Sequence, residues 1–163
     1  MKWDVQATED YEKKLSKLGD EKVIRTVANK AIFQAASIVT DAIKASIGSL
    51  SAVPDVQNLK NWRQKKKSQL SYSQKEGLLE GLGIAKFKVT NGYINTKIGF
   101  NGYNAIKTKK YPNGQPNTLI ARMVEGGGST FQAQPFVRKA VAASRAAAVE
   151  AMGKTIDQEI ELL

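Results

Sequence analysis

The chain has 163 residues, of which 42% are hydrophobic and 25% are charged, and its formal net charge is +10. This composition is ordinary for a globular protein, and the length fits one domain, residues 1–163, that buries most of an ordinary core. No apolar run approaches the roughly 18 residues that a membrane span needs, and the amino terminus has no signal-peptide pattern. We therefore expect no membrane association and folding in a cytoplasm.

The sequence contains no cysteine and no histidine. Disulfides and the commonest structural zinc sites are excluded, because they need thiolate or imidazole ligands. Ser-His and Cys-His nucleophilic pairs are excluded for the same reason, and the spacing of carboxylates and lysines indicates no catalytic pair. We therefore predict a non-enzymatic protein with no cofactor and no metal site.

The amino-terminal third is predicted to be helical. Thr8 is a suitable N-cap for a short helix that runs through Lys17 and ends at Gly19. Asp20 is then predicted to cap a much longer helix, which Gly48 ends. Apolar residues recur along it every three or four positions, which is the spacing of one buried helical face. About 27 residues at about 1.5 Å each make a rod about 40 Å long.

Positive charge is concentrated in one part of the sequence. Residues 60–110 contain twelve basic residues and two acidic ones, which accounts for the whole net charge. Six of these cations cluster around Trp62 and Tyr72: Lys60, Arg63, Lys65, Lys66, Lys67 and Lys75. Such a cluster is suited to DNA phosphates, through counterion release, or to an acidic surface on a partner subunit. The plainer interpretation is a solvated basic loop that keeps the protein soluble.

Most of this cluster falls in a polar segment, approximately residues 49–72, that has no steady periodicity. The segment contains Pro54, and its apolar residues indicate no more than one helical turn. A long irregular stretch inside a compact domain tends to be functional. We therefore predict a flexible basic loop that becomes ordered against a partner and forms the main assembly contact.

A β-hairpin is the clearest local prediction. Asn91-Gly92 lies between two segments with alternating apolar residues, which is the pattern of a two-residue type I′ turn. Such a turn pairs Val89 with Ile94, and the same register continued pairs Ala85 with Ile98. The residues of the opposite face are mostly basic: Lys86, Lys88, Asn95 and Lys97.

Helices are predicted on both sides of this hairpin. Ser73–Glu76 has the spacing of a capping box, and Leu119–Val124 has that of a helical turn for which Asn117 or Thr118 is the cap. A closing helix is predicted over about Pro135–Leu163, with its proline at the first helical position. The predicted fold class is α+β, with two long helices packed on a small antiparallel sheet that contains the hairpin.

Five residues carry a resemblance to a known family. They are Val124, Glu125, Gly126, Pro135 and Phe136, in an apolar run that ends in Glu-Gly and precedes a Pro-Phe helix start. This order resembles the tail-component family of tailed phages named after gene product ten of phage HK97. The resemblance covers most of the chain, because a long alanine-rich helix, a variable middle and a hairpin precede the motif in the same order.

The resemblance implies a structural protein of the virion neck that acts in tail completion or head–tail joining after assembly in the host cytoplasm. It implies a ring of identical subunits, in contact with neighbouring neck or tail-tube proteins and non-specifically with packaged DNA. The motif residues are architectural in that family. Two alternatives stay open: a tail terminator that caps the tail tube, and a cytoplasmic basic accessory protein that binds nucleic acid.

Overall fold

The computed structural model describes residues 16–64, 66–129 and 131–163, and it confirms the α+β class. The elements follow in the order α1 (Glu21–Gly48), α2 (Asp55–Arg63), α3 (Tyr72–Gly81), β1 (Leu82–Ile84), β2 (Lys88–Thr90), β3 (Tyr93–Asn95), β4 (Ile98–Phe100), α4 (Asn117–Gly126) and α5 (Val137–Glu161). Residues 16–18 are also helical. The rest of the helix predicted from Thr8 lies outside the described residues.

The limits of α1 are the predicted ones. The Asp20 side chain accepts a hydrogen bond from the backbone N–H of Lys22 (2.8 Å), so it satisfies one of the amide groups that the first turn leaves free. The helix then continues for 28 residues to Gly48. At about 1.5 Å per residue, its length is about 42 Å.

The most extensive contact within the described residues joins α1 to α5, and the two helices run antiparallel. Lys30 pairs with Glu159 near the end of α5 (2.6 Å), and Ser46 near the end of α1 donates to the carbonyl oxygen of Phe136 (3.2 Å). Most buried residues of the two helices are small: Ala31, Ala35, Ala36, Thr40, Ala140, Ser144 and Ala148. Because these side chains are short, the two helix axes can approach closely.

The strands form two antiparallel pairs, of which β2–β3 is the predicted hairpin. Asn91 and Gly92 have φ values of 51° and 80°, the positive values that both turn positions of a type I′ hairpin require. Val89 lies opposite Ile94, as predicted. The local turn chemistry therefore fixes the register next to the turn.

Farther from the turn, the predicted register is wrong by one residue. Ile84, and not Ala85, lies opposite Ile98, because three residues connect β1 to β2 while only two connect β3 to β4. The extra residue acts as a β-bulge. It places Leu82 opposite Phe100, whereas an uninterrupted register would place Leu82 opposite an asparagine. Apolar pairing on the core side therefore determines the register of β1 and β4.

The middle of the chain is more regular than predicted. Helix α2 stands where a single turn was expected, and Val53 and Ser71 on either side of it form a parallel β-bridge. The prediction of an irregular loop over residues 49–72 is therefore wrong for this helix and its two anchored ends. Two of its apolar residues, Val56 and Leu59, are exposed, at 71% and 49%, so they do not form a face buried in the core.

The capping box of α3 lies two residues before the predicted one at Ser73–Glu76. Ser71 is the N-cap, and its backbone N–H donates to the Gln74 side chain (3.0 Å). Ser73 instead donates from its hydroxyl and its N–H to Asp55 at the start of α2. Burial raises the pKa of Asp55, but the hydrogen bonds from Ser73 and Ser71 outweigh burial and lower it. The competing carboxylate is thus why Ser73 does not cap the helix.

Helices α4 and α5 also begin differently from the prediction. Neither Asn117 nor Thr118 caps α4: Pro116 is the N-cap residue, and the buried Asn117 side chain donates to the carbonyl oxygen of Asn101 (2.8 Å). Helix α5 has Phe136 as its N-cap residue, so Pro135 lies before the helix and not at its first position. Phe136 has no side-chain group for capping, which leaves that role to another part of the chain.

The main core lies at one end of the α1–α5 pair. Its larger members are Ile43, Ile47, Leu50, Leu70, Leu78, Leu82, Ile120, Val124, Phe131 and Phe136. Phe136 packs edge-on against Phe100, with ring centroids 5.9 Å apart. Elsewhere along the two helices apolar side chains are exposed, among them Ile24, Phe33 and Val149. Among the described residues, part of the apolar surface of the two long helices is therefore uncovered.

Candidate partner-binding surfaces

The family-motif residues meet at the junction between α4 and α5. Oε2 of Glu125, on α4, accepts hydrogen bonds from the backbone N–H groups of Phe136 and Val137, both at 2.8 Å. Oε1 accepts from the backbone N–H of Arg138 (3.2 Å) and from its side-chain Nε (2.9 Å). One carboxylate thus caps three amide groups at the start of α5. Its negative charge also lies at the positive end of the helix dipole.

This arrangement favours the charged form of Glu125. Burial raises the pKa of the carboxyl group, but the hydrogen bonds from Phe136, Val137 and Arg138 outweigh burial, so the pKa lies below its ordinary value. The side chain is only 19% exposed. At neutral pH the carboxylate is therefore ionised, and both of its oxygens bind groups of the protein itself.

The other motif residues shape the same junction. Val124 and Phe136 are fully buried. The glycine that the turn requires is Gly127 and not Gly126: Gly127 has a φ of +67°, and a Cβ there would lie 2.8 Å from the Cβ of Ala133, whereas Gly126 has open space around it. The motif therefore holds α4 and α5 together across a tight loop.

The predicted basic contact residues are not equivalent. Four of them are exposed on or just after α2: Lys60, Arg63, Lys66 and Lys67. Lys65 lies outside the described residues. Lys75 donates to the carbonyl oxygens of Gly48 (2.8 Å) and Leu50 (2.9 Å), so it closes the end of α1. Because its ammonium group is used inside the fold, Lys75 is not a candidate partner contact.

A groove of about 790 Å³ lies between α2, α4 and the loop that follows β4. Its apolar lining includes Val56, Leu59, Ile106, Leu119, Met123 and Phe131. Three exposed lysines of the loop, Lys107, Lys109 and Lys110, also line it. Asp55 lines it too, but its carboxylate already accepts hydrogen bonds from Ser73. Sequence patterns did not predict this groove, because residues from separate parts of the chain line it. In the sequence, its lysines contribute only to the net charge of the basic segment.

The exposed cations of residues 60–110 have no carboxylate partner in the described part of the chain. The ion pairs found there are Arg25–Glu21, Lys30–Glu159, Arg138–Glu125 and Lys154–Glu150. Besides the lysines of the groove, Lys88 on β2 is exposed, as are Lys86 and Lys97 in the connections between strands. The positive charges of this region are therefore exposed to solvent and available to an anionic partner.

Within the described ranges, no three His, Cys, Asp or Glu side chains come together in a way that could hold a metal ion. None of the helices in these ranges combines the length and the apolar character needed to cross a membrane. No protein-family model matches the chain, and no curated protein or solved structure shows significant similarity to it. The case for a function therefore depends on the residues and surfaces described above.

Proposed function

We propose that this is a non-enzymatic structural protein of the neck of a tailed phage, a ring subunit that acts in tail completion or head–tail joining. The observation that carries the proposal is the α4–α5 junction, where Val124, Glu125 and Phe136, residues of the family resemblance, form one packed and capped unit. A catalytic carboxylate needs an oxygen directed at a substrate, but both oxygens of Glu125 bind the start of α5. The motif is thus better suited to architecture than to chemistry.

Uncovered apolar surface supports self-association. Ile24 and Phe33 on α1 and Val149 on α5 are each at least half exposed. Exposed apolar side chains of this size can take part in contacts between subunits. In a ring, the same pair of surfaces meets at every subunit boundary, so one such contact can close the assembly.

We expect a phage with an early stop codon in this gene to produce full heads beside detached tails, because the joint would lack one ring. Electron microscopy of lysates checks this, and the gene supplied from a plasmid is the control that should restore joined particles. Tails of normal length would favour tail completion, whereas irregular lengths would favour the tail terminator. Intact infectious particles would contradict both neck functions.

The exposed cations that lack a carboxylate partner in the described ranges favour a second candidate, a basic accessory protein that binds nucleic acid. This function predicts that replacing Lys60, Arg63, Lys66 and Lys67 by glutamine weakens duplex binding and reduces its salt slope by about 0.9 for each phosphate that is no longer neutralised. Fluorescence anisotropy between low and moderate salt measures both quantities. The matched control replaces four exposed cations outside the basic segment: Lys44, Arg122, Lys139 and Arg145. Equal effects of the two sets would count against this candidate.

A further inference from the structure

We propose that the groove between α2, α4 and the loop after β4 binds an acidic segment of a different protein, with a bulky apolar side chain of that segment seated against the apolar lining. Three properties of the groove lead to this partner: its apolar walls, its exposed lysines, and the hydrogen bonds that hold its sides in place. The proposal goes beyond the neck function and does not rest on it, because binding is measured on the isolated protein.

The apolar lining comes from one side of each of two helices. Val56 and Leu59 are three residues apart on α2, and Leu119 and Met123 are four residues apart on α4, so each pair lies on one side of its helix. Val56 and Leu59 are exposed, so α2 presents apolar surface here instead of burying it. A partner that covers this surface gains the free energy of removing it from water.

The charge of the groove comes from Lys107, Lys109 and Lys110. All three are exposed, and within the described residues none of them forms an ion pair. Among the described lining residues, Asp55 carries the one carboxylate, and it already accepts hydrogen bonds from Ser73. The charge of the lining therefore favours a partner segment that carries carboxylates and disfavours a basic one.

Hydrogen bonds connect the two sides of the groove. Asn58 on α2 donates to the side chain of Gln74 on α3 (3.4 Å), which in turn donates to Gln115 at the end of the loop that carries the lysines (2.8 Å). Within that loop, Thr108 and Tyr111 exchange two backbone hydrogen bonds (3.0 and 3.1 Å). Because the groove is already formed, a bound segment does not have to order it, and less binding free energy is lost.

Lysines and an apolar lining together favour a protein segment over a nucleic acid. The lysines alone would suit phosphates, but a duplex presents charged backbone and has no large apolar side chain for the walls. The groove is also open along the exposed Val56 and Leu59 side chains, so its partner has to cover it. A protein segment supplies carboxylates and an apolar anchor in one chain, as do peptides that lay an apolar face into a groove.

Selection from a library of random peptides on the full-length protein tests the proposal. We expect the selected peptides to be rich in aspartate and glutamate around a bulky apolar residue. Fluorescence anisotropy of the labelled peptides should show binding that the triple variant Lys107→Glu, Lys109→Glu and Lys110→Glu weakens by about tenfold or more, because like charges then meet. The matched control reverses three exposed cations that do not line the groove: Lys86, Lys88 and Lys97. It should weaken binding by about threefold at most, because solvent screens these charges.

The apolar walls are tested by Val56→Gln together with Leu59→Gln. Both side chains are exposed, so the double variant should fold, and circular dichroism checks this. We expect it to weaken binding of the same peptides by about tenfold, since apolar anchors contribute much of the affinity of a docked segment. The matched control is Val89→Gln together with Tyr93→Gln, which changes two exposed residues of the hairpin and should leave the affinity unchanged.

Several results would overturn the proposal. A selection without saturable binders, selected peptides without acidic enrichment, or equal effects of a groove variant and its control would each do so. Peptides that depend on the lysines but not on Val56 and Leu59 would assign the site to polyanions such as nucleic acid. Peptides that match this chain, with self-association in sedimentation velocity, would identify a second copy as the occupant. Joined particles from the stop-codon phage would overturn only the neck function and leave this proposal standing.

Discussion

Replacing Glu125 by alanine is expected to lower the free energy of unfolding by about 2–3 kcal/mol. The substitution leaves the N–H groups of Phe136 and Val137 without a partner beside a fully buried ring. It also removes a negative charge from the positive end of the α5 dipole. An ordinary N-cap contributes about 1 kcal/mol, and the larger value follows because the substitution removes a charged group that accepts several hydrogen bonds at once.

Urea unfolding followed by circular dichroism measures this loss, and a fall in Tm of roughly 4–12 °C should accompany it. The matched control is Glu150→Ala, which removes the same charge from an exposed ion pair with Lys154 within α5. An exposed pair of this kind contributes little, because solvent screens it. If both variants unfold at the same urea concentration, Glu125 does not hold the start of α5.

The hydrogen bonds of Glu125 also determine how the stability of the protein depends on pH. Because the pKa of Glu125 lies below its ordinary value of 4.5 in the folded protein, the unfolded state binds the proton more readily. The stability from Glu125 is therefore fully present above pH 4.5 and is lost as the pH falls through the folded pKa. Glu125→Gln cannot ionise, so its stability deficit relative to the wild type should shrink in acid.

The parts of the fold that sequence alone predicts are those with local causes. Asp20 caps α1 by bonding two residues ahead, and Asn91-Gly92 forms its turn from its own backbone angles. The two long helices follow from apolar spacing in the same way. In each case the residues that determine the structure are neighbours in the chain, so their pattern is visible before any tertiary contact is known.

The sequence-based predictions are wrong where contacts between residues distant in the sequence determine the structure. Ser73 has the spacing of a cap, but Asp55 takes its hydroxyl. The register of β1 and β4 depends on which side of the strands meets the core, and the cap of α5 comes from Glu125 on another helix. In the sequence Glu125 stands out only as part of a motif, since spacing alone does not reveal that its oxygens reach the next helix.

The candidate surfaces were also predictable only in part. Net charge located the basic segment, and four predicted cations are exposed there, but Lys75 is used inside the fold. The groove has no linear signature, because its lining comes from α2, α3, α4, the loop after β4 and Phe131. A sequence can thus indicate that a region is basic, while only the fold shows which of its cations lie beside apolar side chains.

Substituting alanine for Gly77 is expected to destabilise the protein by about 1–3 kcal/mol, although the same change usually stabilises a helix interior. A Cβ at Gly77 would lie 2.6 Å from Oδ1 of Asn117 and 2.7 Å from Cβ of Asn104. Both asparagines are buried, and Asn117 is tied to the carbonyl oxygen of Asn101, so neither can move away freely. The gain in helix propensity, about 1 kcal/mol, is smaller than the loss from overpacking.

Gly153→Ala is the matched control, because it makes the same change inside α5 at an exposed position with nothing within 4 Å of the new Cβ. There, only helix propensity acts, so we expect stabilisation by about 1 kcal/mol. Urea unfolding of the two variants should therefore give shifts of opposite sign. Stabilisation at both positions would mean that α3 does not pack against Asn104 and Asn117 as closely as these distances indicate. Destabilisation by Gly153→Ala would contradict the open space around this position.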